Sequence, residues 1–252
     1  MKVRIAQLLV SKGVEKNKDK ILKVINESEK SEWVIFPEGM LSGYYPEDDD
    51  YIKKLDWNQI ENSIEEITSA VNQKSIQCIF GTALFKNDNW YNSAIFIDRS
   101  GAKSVYKKAN LATLDRKCFV AGNNLDVYEA ERVKFGIQLC RDNAFPEQWM
   151  VLKKKGAQVI FHINNAIKEN DINRKHVLIS RAFENQFFVV SVNNASKPQT
   201  LPSMAISPFG KVIFESKPQE ESVNVTELDL SEVKSDYVEQ ARTDLVEVVY
   251  KE

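Results

Sequence analysis

Histidine and cysteine are scarce in this chain, with two of the first and three of the second among 252 residues. His162 and His176, with the scattered Cys78, Cys118 and Cys140, supply no metal-ligand spacing, so no metal site is expected. An odd, widely spaced cysteine set also argues against a disulfide framework and for a reducing compartment, which points to the cytoplasm. No Gly-rich phosphate loop and no Gly-x-Ser-x-Gly elbow occurs, so metal-dependent and nucleotide hydrolysis lose support. Neither sign of charge is in excess: 34 Lys and Arg against 36 Asp and Glu leave a net charge of −2. Such a balance creates no global field for nucleic acid or an anionic membrane, and neither is expected as a partner. No apolar run approaches the roughly 18 to 20 residues of a membrane-spanning helix. The opening MKVRIAQLLVSKG alternates like a strand and lacks a small-residue cleavage site, so it reads as the first core strand rather than a signal peptide.

What is present is an ordinary globular composition, with 43% hydrophobic and 28% charged residues. No linker or low-complexity tract interrupts it, so residues 1–252 read as one domain, with those from about 231 onward as a C-terminal helix and arm. Periodicity gives a βαβ opening: strand Val3–Val10, helix Val14–Glu29 and strand Trp33–Phe36. A helix over Trp57–Gln73 carries Ile60, Ile64, Ile67 and Val71 on one face. Strand-like runs Ile76–Phe85, Trp90–Asp98 and Ser104–Lys108 follow as consecutive hairpins. After the turn through Ala109–Asn124 come Val127–Tyr128, Val133–Cys140 and a helix over Pro146–Lys155. The βα alternation resumes with strand Gln158–Ile163, helix Ile172–Asn185 and strand Phe187–Val192. Met204–Ser207, Val212–Glu215 and Val223–Leu228 read as a late meander, with Pro208-Phe209-Gly210-Lys211 as its tight turn. The fold class is α/β, layered, with two similar βα halves. A four-layer α-β-β-α sandwich would bury both sheet faces, although periodicity alone leaves an open single sheet possible.

Three positions can carry chemistry. Glu38 follows the apolar strand Trp33–Phe36, at a strand mouth that suits a general base. Lys107 and Lys108 end a strand whose alternation turns them to opposite faces, so at most one addresses a given cleft. Cys140 closes Phe135-Gly136-Ile137-Gln138-Leu139 just before a helix start, where free N–H groups favour a thiolate and can bind an oxyanion. Taken singly, each has a bland explanation: a turn glutamate, solvated edge lysines, a small apolar core cysteine.

Together they carry a resemblance. Phe36-Pro37-Glu38, Tyr106-Lys107-Lys108-Ala109-Asn110-Leu111, and Leu139-Cys140-Arg141-Asp142 followed by Phe145-Pro146-Glu147 resemble, in order, the three signature segments of the nitrilase superfamily of carbon–nitrogen hydrolases. Leu41-Ser42-Gly43-Tyr44, Tyr91-Asn92-Ser93-Ala94, Arg181-Ala182-Phe183-Glu184-Asn185 and Ser207-Pro208-Phe209-Gly210-Lys211-Val212 extend the likeness over roughly residues 3 to 215. The resemblance implies the α-β-β-α sandwich, assembly into homodimers or larger homo-oligomers, no cofactor, and a Glu38-Lys108-Cys140 active site. It implies further that the Cys140 thiol attacks a small amide, carbamoyl or nitrile substrate, with Glu38 as acid and base. Lys108 and the Arg141 backbone N–H would stabilise the oxyanion, and ammonia would leave as a thioester intermediate forms. Lys108 should also hold the Cys140 thiol partly ionised.

The chain departs from the family pattern in two places. Asn110 stands where a histidine is usual, and Asp115 is the nearest match to a second glutamate, one that reaches Lys108 only if the backbone sits closer. The interval between Lys108 and Cys140 is also short, which trims the loop that shapes the pocket. Tyr44, Asn110, Asn143, Asn164 and Asn165 are candidate pocket residues, whereas His162 and His176 read as structural. An amidase acting on an ω-amide leads. An N-carbamoyl hydrolase or a nitrilase would use the same residues, and a nitrilase-fold binding or regulatory protein without turnover is the rival from another class.

Overall fold

Side-chain alternation decides the architecture. In β2 (Trp33–Ile35), Trp33 and Ile35 face one way, while Val34 and the following Phe36 face the other. In β8 (Val159–Ile163), Val159, Phe161 and Ile163 are likewise opposed by Ile160. Strands apolar on both sides need covering twice, by a second sheet and by helices. The structure, a computed structural model, describes residues 1–166, 171–242 and 244–245.

The first sheet contains β1 (Lys2–Gln7), β2, β3 (Gln77–Lys86), β4 (Asn89–Ile97) and β5 (Lys103–Lys107), with β12 (Ser222–Glu227) outside β1. The second contains β6 (Val127–Ala130), β7 (Val133–Leu139), β8, β9 (Phe188–Val192), β10 (Met204–Ile206) and β11 (Val212–Glu215), in sequence order. Each sheet has a parallel centre, β1-β2-β3 in one and β7-β8-β9 in the other, with antiparallel flanks. The inner faces meet around Trp33, whose ring stacks on Phe161 at 5.4 Å across the interface and lies edge-on to Phe135 at 5.0 Å.

The helices α1 (Val14–Asn26) and α2 (Trp57–Lys74) cover the first sheet, packing Ile21, Ile25, Ile60, Ile64, Ile67 and Val71 on Val34, Phe36, Cys78 and Phe80. On the second sheet, α3 (Pro146–Lys154) and α4 (Asp171–Asn185) place Trp149, Leu152, Leu178 and Ala182 against Ile160, Val189 and Met204. Each such aliphatic side chain contributes roughly 1.5–3 kcal/mol of burial, so these stripes, rather than helix propensity, hold the outer layers. The result is the expected α-β-β-α sandwich. Among the described residues no helix is long and apolar enough to cross a membrane.

The late meander is corrected. β10 and β11 form a hairpin in the second sheet, but β12 crosses to the first and pairs antiparallel with β1. Gln7 explains the crossing. Its Nε2 donates to the carbonyls of Lys217 and Glu220, both at 2.8 Å, and its Oε1 accepts from the hydroxyls of Ser203 and Ser216 at 2.8 and 2.6 Å. One buried amide thus pins the chain where it leaves one sheet for the other. β1 also stops at Gln7 rather than Val10, because the N–H groups of Leu9 and Val10 turn to the side chains of Glu221 and Asn194. The short helix expected in the tail is α5 (Asp236–Glu239), and the arm from 246 on lies outside the described residues.

Candidate active site

β2 hands its chain to a tight turn carrying Glu38. Phe36 N–H still pairs with the Ile79 carbonyl at 2.9 Å, and the Pro37 carbonyl accepts from Gly81 N–H at 3.1 Å. Gly81 of β3 is obligatory for this approach, since a Cβ there would lie 2.4 Å from the Gly39 nitrogen and 2.6 Å from the Glu38 Cα. Glu38 therefore sits directly above the sheet, fully buried.

Lys108 follows β5, with its N–H on the Asn92 carbonyl and its own carbonyl accepting from Gly122 N–H, each at 2.8 Å. Alternation separates it from its neighbour as expected. Lys107 lies half-buried with its ammonium 3.7 Å from the centre of the Tyr91 ring, while Lys108 is only 1% exposed and turns inward. Its Nζ donates to Glu38 Oε1 at 2.9 Å and to Asp115 Oδ2 at 2.6 Å, both carboxylates being 0% exposed. The short side chain of Asp115 reaches because a 3₁₀ turn over Asp115–Lys117 brings its backbone in, and Ala112 N–H donates to the same oxygen at 3.0 Å. Tyr44 O–H donates to Asp115 Oδ1 in a short hydrogen bond.

Glu38 is otherwise held by Asn92 Nδ2 on Oε1 at 2.7 Å and by Asn165 N–H on Oε2 at 2.8 Å. Burial raises its proton affinity above that of an ordinary glutamate, Lys108 opposes this, and the Asp115 charge adds to it. Burial lowers the proton affinity of Lys108, but the Glu38 and Asp115 carboxylates outweigh it and hold the ammonium charged. One cation between two carboxylates leaves an excess negative charge, so Glu38 is poised to take a proton.

Cys140 follows β7 with φ at 38°, a left-handed conformation for a residue bearing a side chain, and opens a 3₁₀ helix over Cys140–Ala144. This short helix stands between β7 and α3, where a direct strand-to-helix step was expected. The turn is anchored by buried Asp142. Its Oδ2 accepts from Leu139 N–H at 2.9 Å and Tyr106 O–H at 2.8 Å, and its Oδ1 accepts from the N–H and Nδ2 of Asn110 at 2.9 and 2.8 Å. The Cys140 thiol lies in the field of Glu38, Lys108 and Asp115. Here the expectation of a partly ionised thiol is overturned. Burial and the Glu38 charge push its pKa up to about 11, against the pull of Lys108, because a buried carboxylate beside the sulfur offsets the cation. Cys78, sealed in the core, is also pushed up by burial, and half-buried Cys118 is raised mainly by the same effect.

The structure brings Glu38, Lys108, Asp115 and Tyr44 into one buried cluster beside Cys140. Arg141 presents its backbone in the first turn of the 3₁₀ helix, where N–H groups have no partner within the helix, and its side chain is exposed. Asn165 joins through its N–H, and Asn164 through its carbonyl, which accepts from Glu38 N–H at 3.3 Å. Asn110 and Asn143 bond to the elements around the cysteine turn. The Asn110 amide spans Asp142 and Gln148, and the Asn143 carbonyl receives Arg181 Nη2 at 3.3 Å, so both knit the cysteine turn to its surroundings. Asn92, Tyr106 and Asp142 stand in the segments of the sequence that carry the resemblance but were given no role there. The available signal was polar residues at the inward end of apolar strands, as in Asn92-Ser93 within β4. Among the described residues no group of three or more His, Cys, Asp or Glu could hold a metal ion.

Known proteins share this arrangement at the level of family and fold. Residues 2–237 match the family model described as carbon-nitrogen hydrolase. An (R)-stereoselective amidase of Pseudomonas sp is 27% identical over 224 residues, covering 83% of this chain and 79% of that protein. A glutamine-dependent NAD(+) synthetase of Aquifex aeolicus (strain VF5) is 32% identical over 249 residues, which cover 93% of this chain but 43% of the synthetase. Among solved structures, a mutant of the Nesterenkonia AN1 amidase, from the nitrilase superfamily, superposes with a TM-score of 0.84 at 17% identity, over 97% of this chain and 95% of that one. The layered sandwich defines a nitrilase-type fold. The chain belongs to the carbon–nitrogen hydrolase family and is a hydrolase of carbon–nitrogen bonds.

Proposed function

We propose that this protein hydrolyses the terminal carboxamide of a small ω-amide through a thioester on Cys140. The observation that carries the reading is the buried Glu38–Lys108–Asp115 cluster beside half-buried Cys140. Glu38 takes the Sγ proton as sulfur bonds to the carbonyl carbon, and the carbonyl π electrons move to oxygen. Because the resting thiol is neutral, the thiolate forms only in the encounter with substrate, through direct transfer to Glu38. Lys108 and the Arg141 N–H receive the oxyanion, donors worth roughly 3–4 kcal/mol each where measured. Glu38 returns its proton to nitrogen, the carbon–nitrogen bond breaks and ammonia leaves. Water, deprotonated by Glu38, then attacks the thioester, and sulfur departs with the proton. The balance is amide plus water to acid plus ammonia.

Asp115 neutralises Lys108 without touching substrate, and Tyr44 with Asn165 borders the site. The amide assignment draws on the (R)-stereoselective amidase, and the ω position on the glutamine dependence of the synthetase, glutamine being a terminal carboxamide. Self-association into a homodimer and a cytoplasmic location, suited to three free cysteines, belong to the same reading. Incubation with a panel of ω-amides, N-carbamoyl compounds and nitriles, followed by ammonia assay and intact mass, tests it. An acyl adduct on Cys140 and ammonia from amides are expected. If no compound gives either, while the thiol is no more reactive than Cys78 and Cys118, the reading is wrong and a binding role takes its place. Sedimentation at graded concentrations reads the assembly.

A further inference from the structure

His162, the penultimate residue of β8, is fully buried, outside the charged cluster, on the side of the second sheet covered by α3, with its ring 5.7 Å from that of Trp149. Its Nε2 lies 3.1 Å from the carbonyl oxygen of Cys140. A carbonyl only accepts, so Nε2 carries the hydrogen and Nδ1 is the acceptor. Nδ1 is met by Asn164 Nδ2 at 3.0 Å, with Ser191 Oγ 3.3 Å away, and the same Asn164 nitrogen is 2.9 Å from Ser191 Oγ. These two polar residues fix the tautomer from behind. Burial, ahead of every other influence, pushes the His162 pKa down to about 3, so the ring is neutral wherever the enzyme works.

The bond falls on a particular peptide. The Cys140–Arg141 unit is planar, so fixing its C=O fixes the opposed N–H, which belongs to Arg141. Accepting a hydrogen bond at oxygen also polarises the unit and strengthens its N–H as a donor. The left-handed φ of Cys140 needs such an anchor, because nothing in the local propensity of cysteine favours it. We infer that His162 is a positioning residue for the oxyanion, orienting and polarising the Cys140–Arg141 peptide through its Nε2–H bond to the Cys140 carbonyl. The inference rests on the thioester reading above. The imidazole neither touches substrate nor exchanges a proton. It acts as a rigid neutral donor, a role distinct from the base of a Cys–His pair.

The test separates steps that build an oxyanion from one that does not. Amide turnover passes through a tetrahedral oxyanion. Methyl methanethiosulfonate instead forms a disulfide on Cys140 with loss of sulfinate, and no carbonyl oxygen is involved. His162→Leu removes the donor, while His162→Gln retains an N–H able to reach the carbonyl. For His162→Leu, kcat on the amide is expected to fall about 10²-fold with KM within about threefold, and modification of Cys140 to stay within about threefold of wild type. For His162→Gln, most of kcat is expected to return. Equal losses in both reactions, no loss in either, or a well-folded Gln variant as slow as Leu would overturn the inference. If His162→Leu fails to fold, His162→Asn, whose amide is too short to reach, replaces it under the same criteria. Wild type that is modified by the thiosulfonate yet forms no acyl adduct with any amide sinks the function itself, and the inference with it.

Discussion

The two halves of the molecule have the same construction and different electrostatics. The first sheet and its connections deliver charge: Glu38 after β2, Lys108 after β5 and Asp115 in the following turn, all sealed from solvent and joined by two ion pairs. The second delivers a neutral thiol on a left-handed backbone, its turn anchored by the single buried carboxylate of Asp142 and its carbonyl held by an uncharged imidazole that one amide and one hydroxyl back. The difference teaches a division of labour. One half sets where the proton resides, and the other sets where the atoms are. Variants in the first should therefore move pH profiles, whereas variants in the second should lower rates without moving them.

The largest effect is expected where the halves meet. Cys140→Ala should reduce amide hydrolysis by ~10⁴-fold or more while leaving the melting transition near that of wild type, as ammonia assay and calorimetry will read. Next comes Lys108→Met, which strands two buried carboxylates. It should cost about 3–5 kcal/mol in urea unfolding besides most of the activity, and Lys108→Met with Asp115→Leu should recover part of that stability. If Lys108→Met melts like wild type, the ion pairs are not holding the first half together. Lys107→Ala, one residue away and half-buried, should change either measurement little.

The pH profile sharpens the comparison. Activity needs Glu38 unprotonated, and its proton affinity is raised, so kcat/KM should fall on the acid side at a pH above 4.5. Asp115 contributes to that rise, so Asp115→Asn should shift the acid limb downward, whereas Ser191→Ala in the other half should leave it in place. The second half leaves its own mark on stability. Above pH 6.5 His162 is neutral both folded and unfolded. As pH falls toward 3 the unfolded chain takes up a proton that the folded one refuses, and stability drops by up to ~4 kcal/mol. His162→Gln should lose that part of the slope in urea melts between pH 7 and 4.

Much of this was legible from alternation and order. Trp33-Val34-Ile35-Phe36 reads as a strand covered on both faces, and the positions of Glu38, Lys108 and Cys140 at strand ends follow from the same pattern. Other features were hidden because they depend on distances across the chain. Asp115 could be named but its reach to Lys108 could not, since a 3₁₀ turn sets it. The neutrality of Cys140 was misread because sequence shows Lys108 and Glu38 but conceals the burial that raises the thiol's pKa ahead of either charge. Asn110 looked like a pocket residue, yet its partners Asp142 and Gln148 lie on elements that no local signal brings near. β12 looked like the third strand of a meander, because short spacing favours a hairpin and the contrary instruction comes from Gln7, more than 200 residues earlier.

That last strand has a consequence for how the molecule is made. Residues 222–227 complete the sheet that carries Glu38 and Lys108, so β1 presents an unpaired edge for as long as the chain is still being synthesised to that point. The first five strands resemble a self-contained βα unit but lack their border until nearly everything else exists. Folding of the base-bearing half is thereby tied to the arrival of the nucleophile-bearing half. A fragment ending before residue 222 is expected to be prone to edge-to-edge aggregation rather than to survive as a small domain, and the charged cluster and the thiol should come into being together.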